Sequence, residues 1–175
     1  MKSFVICGAL AAAASLAWAQ SPAATESKTI GGKTIAIKYS SPRVNGRVGK
    51  IFTKDGLIGG DQTYPVWRAG ANSATAFHTD ADLDIGGLAV PKGDYTVYAE
   101  ISDPNNWQLI INKQTGQWGL TYNKAQDLGR VKMTMSKPPA PIEELKYTLT
   151  DAGGGKGKLE LAWENHVASV QFTVK

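Results

Sequence analysis

The chain has 175 residues, with 19 Lys and Arg against 15 Asp and Glu and a formal net charge of +4. Its basic residues, Lys38, Lys50, Lys54, Lys132, Lys156 and Lys158 among them, are scattered without a cluster of five or more. That pattern argues against a nucleic-acid or membrane-surface protein.

The chain opens as an export signal over residues 1–19. Lys2 supplies the positive start, Phe4 to Leu16 the apolar run, and Ala17-Trp18-Ala19 the small-x-small cleavage pattern, with Gln20 first in the mature chain. The run is shorter than the ~20 residues a bilayer crossing needs, and no second apolar run of that length follows, so no membrane span is expected. Cys7, the single cysteine, lies inside this segment and away from the cleavage point that a lipoprotein requires. The mature chain would then have no disulfide and must hold together by its core, which about 155 residues suffice to build.

Residues 20–32 are small, polar and aperiodic, and read as a disordered leader. Gly32-Lys33-Thr34 is not a phosphate loop, because Ser27 stands where the earlier glycine is needed. A single domain is expected over 33–175, and its dominant period is two. Ile35, Ile37 and Tyr39 share a face, as do Tyr95, Val97, Ala99 and Ile101, then Trp107, Leu109 and Ile111. The same alternation runs through Val131, Met133 and Met135, through Leu145, Tyr147 and Leu149, through Leu159, Leu161 and Trp163, and through Val170, Phe172 and Val174. Such runs are strands with one face in a core and one in water. Gly86-Gly87, Pro91-Lys92-Gly93, Asp103-Pro104-Asn105 and Gly153-Gly154-Gly155 supply the turns, and Pro138 to Pro141 a stiff crossover. The expected fold is all-β, an antiparallel sandwich of the immunoglobulin-like or jelly-roll-like kind, with one short helix near Lys124 to Leu128. Leu88-x-x-Pro91-x-Gly93-x-Tyr95 reads as a tyrosine corner, which clamps a crossover between sheets.

Catalytic patterns are weak. Ser73, His78 and Asp80 suggest a triad, but Ala71 and Thr75 replace the glycines of a nucleophile elbow, and on a strand Ser73 and His78 face opposite sides. His78 and His166 belong to no zinc pattern. Asp80, Asp82 and Asp84 lack the glycine and glutamate of a calcium loop and read as the solvent face of a strand behind Leu83 and Ile85. No metal and no cofactor is implied. Glu100 and Glu164 are placed on outward faces, where a glycosidase-like pair cannot be read from spacing.

Two polar loops that carry tryptophan are more informative. One is Tyr64 to Thr75, with Trp67, Arg68 and Asn72; the other is Asn112 to Tyr122, with Lys113, Gln117 and Trp118. A loop tryptophan either plugs the end of a sandwich or offers a flat apolar face with a polar rim. Ser41-Pro42-Arg43, Trp67-Arg68-x-Gly70-Ala71-Asn72, Asn112-Lys113-x-Thr115-Gly116-Gln117-Trp118-Gly119, Asp127-Leu128-x-Arg130-Val131 and Trp163-Glu164 together resemble the DUF2911 family, exported bacterial proteins of unknown function. The resemblance spans about residues 33–175. It implies a secreted β-rich domain and no activity. Many relatives have glutamate where this chain has Ser73, which weakens a catalytic reading of that motif.

The expected function is a non-catalytic binding or envelope-associated module in the periplasm or outside the cell. Arg43, Trp67, Arg68, Asn72, Lys113, Gln117, Trp118 and Asp127 would hold a polar ligand, a glycan or a peptide. The alternatives are a hydrolase of envelope polymers using Glu100, Asp127, Glu164 or His78, and a structural domain that docks another envelope protein.

Overall fold

The structure, a computed structural model, describes residues 20–175, so the expected export signal and Cys7 lie outside the described residues. Thirteen strands form two antiparallel sheets, and the only helical element among the described residues is a 3-10 turn at Lys124–Gln126. The strands are β1 (Ala23–Ile30), β2 (Lys33–Ser40), β3 (Val66–Trp67), β4 (Thr75–Thr79), β5 (Leu83–Ile85), β6 (Leu88–Val90) and β7 (Gly93–Glu100). They continue as β8 (Gln108–Asn112), β9 (Asp127–Lys132), β10 (Thr134–Ser136), β11 (Ile142–Gly153), β12 (Lys156–Glu164) and β13 (His166–Val174). One sheet runs β1-β2-β4-β7-β8-β9 with β3 also on β7; the other runs β11-β12-β13-β5-β6 with β10 also on β13. The inward residues of both, from Ile35, Ile37 and Val97 to Leu161, Val170 and Phe172, form one apolar interior, so the fold is the all-β sandwich that period-two patterning requires.

The expected leader is corrected. Residues 23–30 form β1, which pairs along its whole length with β2. Gly31 and Gly32 both take positive φ between them, the geometry of a tight two-residue hairpin. Ile30 is buried at the turn. The segment is polar because it is an edge strand with little to bury, and edge strands look like loops in composition.

The run through Val131, Met133 and Met135 is also corrected. It is two strands in different sheets: β9 pairs with β8, β10 pairs with β13, and Met133 crosses between them with its N–H on Trp107 O at 2.9 Å. On β7 the alternation fails for a packing reason. Tyr98 points away from the main core yet is buried with Val66 and Ile110 in a second small cluster, packed by Ala74 and Tyr122.

The tyrosine corner is present, with Tyr95 Oη donating to Pro91 O at 2.8 Å. The outer edge of β11 is closed by unlike partners. Leu145 N–H donates to Pro42 O at 3.0 Å, Tyr147 N–H to the Tyr39 hydroxyl at 3.3 Å and Leu149 N–H to Glu26 Oε1 at 3.1 Å. Those contacts cover successive edge donors that would otherwise recruit another strand.

Candidate functional site

The two tryptophan loops meet, but as a structural clamp. Ala74 N–H donates to Gln117 O at 3.1 Å and Gly119 N–H to Asn72 O at 3.0 Å, and Ser73 bridges Trp118. Gly119 is needed there, because a Cβ would lie 2.6 Å from Asn72 O and 2.3 Å from Arg68 Cδ. Trp67 is 1 % exposed, while Trp118 is 51 % exposed. Trp67 is therefore the core plug: its Nε1 donates to Gly70 O at 3.2 Å and its ring stacks on Trp163 at 5.9 Å. The two rings do not share a cleft.

The polar residues of these loops bond mostly within the protein, while Arg68 Nε, Gln114 Oε1 and Gln117 Oε1 are buried without a partner. Arg68 reaches Asp61 at 3.5 Å, and burial pushes the Asp61 carboxyl up against the opposing pull of Arg68. Asn72 donates to Ser21 O at 3.2 Å, tying the segment just before β1 to the clamp. Gln117 donates to the Tyr98 hydroxyl at 3.0 Å and to Thr96 Oγ1 at 3.3 Å. Asp127 accepts from the Tyr122 hydroxyl at 2.6 Å, from Asn112 at 2.9 Å and from Arg130 at 3.2 Å. Burial, then the bond to Asp127, pushes the Tyr122 phenol up to about 12. Lys113 is exposed, and its N–H donates to Gln126 O at 2.8 Å. Arg43 stands apart from the others, on the β11 edge, paired with Glu144 at 2.7 Å and Glu143 at 3.6 Å.

His78 and Asp80 touch, although residues two apart on a regular strand lie roughly 7 Å apart. β4 ends at Thr79, and beyond it Asp80 turns back to His78 Nε2 at 3.0 Å, while Asp94 holds Nδ1 at 2.8 Å. These two hydrogen bonds, Asp94 first, raise the imidazole above its ordinary range. The group borders a hollow of about 530 Å³ on the outer face of the first sheet. Asp84 accepts from Gly87 N–H at 2.8 Å and closes the β5–β6 turn, and Asp82 accepts from Lys92 N–H at 2.8 Å across the base of that hairpin. Among the described residues no three His, Cys, Asp or Glu side chains come together as a metal-ligand set.

The larger concavity is at one end of the sandwich. It encloses about 780 Å³ between the β2–β3 loop, the β7–β8 loop, the end of β10 and the β12–β13 turn. Phe52, Tyr64, Ile101 and Met135 supply apolar wall; Lys54, Asn105, Lys137, Asn165 and His166 supply polar rim. Below lies an aromatic cluster. Phe52 meets Trp67, Trp107 and Trp163 at ring separations of 5.2, 4.8 and 5.6 Å, and His166 stacks on Trp107 at 5.1 Å.

Glu164 organises this end. The outward face expected for it is corrected by the structure, in which the residue is 2 % exposed. Glu164-Asn165 is the two-residue turn between Trp163 and His166, and Glu164 takes φ 54°. The turns β1–β2, β5–β6 and β11–β12 put glycine pairs in such positions. Here a glutamate carries the left-handed backbone, a cost glycine would avoid. The alternation broke because the turn tips the carboxylate inward. It accepts from Gly49 N–H, from Asn165 N–H at 3.3 Å and from His166 Nδ1 at 3.2 Å. Since a carboxylate only accepts, Nδ1 carries the proton and the neutral ring keeps its lone pair on Nε2. Burial, with a smaller push from the Lys137 charge, holds His166 below the ordinary histidine range.

Sequence reasoning missed Phe52, Lys54, Tyr64, Asn105, Lys137, Asn165 and His166 as neighbours. Their separations in the chain hide the convergence. One signal was available: a glutamate at a hairpin position that favours glycine, two residues before a histidine.

No curated protein and no solved structure matches the chain. Residues 21–172 match the family described as "Protein of unknown function (DUF2911)". The chain belongs to the DUF2911 family.

Proposed function

We propose that this protein is an exported, envelope-associated binding module, and that its ligand site is the end cleft in place of the tryptophan loops. The ligand is a polar molecule with an apolar face, of glycan or peptide size. The observation that carries the reading is a concavity of about 780 Å³ with aromatic wall and polar rim beside buried tryptophans. Most recognition groups of the loop pair already bond within the protein, whereas the cleft keeps lysines, amides and an imidazole facing a space. Concave sites with apolar walls and a few directed polar groups are the usual form of ligand pockets. The test is a titration of tryptophan fluorescence with cell-wall oligosaccharides and short peptides, on the protein and on Tyr64→Ala. A saturable change that Tyr64→Ala weakens supports the site; no change with either class, or one unaffected by Tyr64→Ala, overturns it.

A second reading is hydrolysis of an envelope polymer. What favours it is the buried carboxylate of Glu164 on Nδ1 of His166, an arrangement in which Nε2 can take a proton from water. Turnover that His166→Phe abolishes would decide for it.

A further inference from the structure

We infer that the ligand of the end cleft is an acidic carbohydrate, whose ring hydroxyl donates to His166 Nε2 and whose carboxylate meets Lys54 and Lys137. The inference rests on the cleft reading above and names its ligand class. Three observations support it.

First, the imidazole is a committed acceptor. Glu164 accepts a hydrogen bond from Nδ1–H at 3.2 Å, and Nε2 has no protein hydrogen bond among the described residues. A group that only accepts selects a ligand that donates there, and a sugar hydroxyl does so.

Second, the charge at the rim is positive. Lys54 and Lys137 line the cleft and form no ion pair with a described residue. The one carboxylate in the lining is Glu164, which is buried and already bonded to Gly49, Asn165 and His166. Lys137 and His166 line the same cleft, so a hydroxyl and a carboxylate carried on one sugar ring can meet both.

Third, Phe52 and Tyr64 are half-buried in the wall and offer an apolar surface to the CH face of such a ring. A rigid ring also loses less conformational freedom on binding than a flexible peptide with the same groups.

The experiment compares trigalacturonate, neutral galactotriose and triglutamate by calorimetric titration on the unmodified protein and on His166→Phe, Lys137→Ala and Lys54→Ala/Lys137→Ala. His166→Phe keeps a ring over Trp107; His166→Gln, which keeps an acceptor, controls for packing, and circular dichroism checks that each variant is folded. Trigalacturonate should bind about tenfold or more tighter than galactotriose, the scale of one charge-assisted hydrogen bond. The double lysine variant should erase that preference, and His166→Phe should weaken both sugars while His166→Gln restores part of the loss. Equal binding of the two sugars, or tighter binding of triglutamate, overturns the acidic-sugar inference and leaves the cleft reading standing. No binding of any probe overturns both.

Discussion

Trp67 and Trp118 have the same side chain in two polar loops, and their surroundings give them opposite roles. Composition could not separate them, because a core plug and an open ring both appear as tryptophan among turn residues. Trp67→Ala should cost about 3–5 kcal/mol of unfolding free energy, and Trp118→Ala should stay within about 0.5 kcal/mol of the parent; urea denaturation followed by circular dichroism measures both. The two histidines divide in the same way. His78 is held above its ordinary range by Asp94 and Asp80, so its contribution is full below about pH 6.5 and fades as pH rises through the raised value. His166 is held below that range by burial, so protonation works against the folded state, and the penalty disappears as pH rises through about 6.5. Relative to the parent, His78→Asn should be weakest near pH 5 and recover toward about pH 8. His166→Phe should compare best near pH 5 and lose that relative advantage toward about pH 8. Urea midpoints across that range give both trends.

Among the elements, hairpins were legible where glycine pairs marked them and obscure where they did not. The β5–β6 and β11–β12 turns announce themselves, whereas β1 was hidden by edge-strand polarity and β9–β10 by an alternation that continues across a change of sheet. The β12–β13 turn is the informative exception, because Glu164 occupies a backbone conformation that suits glycine. Two substitutions separate backbone strain from the carboxylate's bonds. Glu164→Ala and Glu164→Gly both strand Gly49 N–H, Asn165 N–H and His166 Nδ1, but only glycine relaxes the turn. Glu164→Gly should therefore be more stable than Glu164→Ala by about 1 kcal/mol, and both less stable than the parent. Equal midpoints for the two variants would remove the strain from the account.

At the scale of the whole molecule, alternating side chains carry the sandwich, and that part was readable because burial on one sheet face imposes period two. The end cleft was not readable, since its wall comes from four chain segments brought together only by the sheet order. The proposed function requires that this end, and not the tryptophan loops, meets the ligand. Amide chemical shifts of isotope-labelled protein, followed while trigalacturonate is added, test it most directly. Saturable shifts are expected at Gly49, Lys54, Ser102, Asn105, Lys137, Asn165 and His166, with Lys113 and Trp118 unmoved. Shifts centred on Trp118, Gln117 and Asn72 with the cleft unmoved would contradict it.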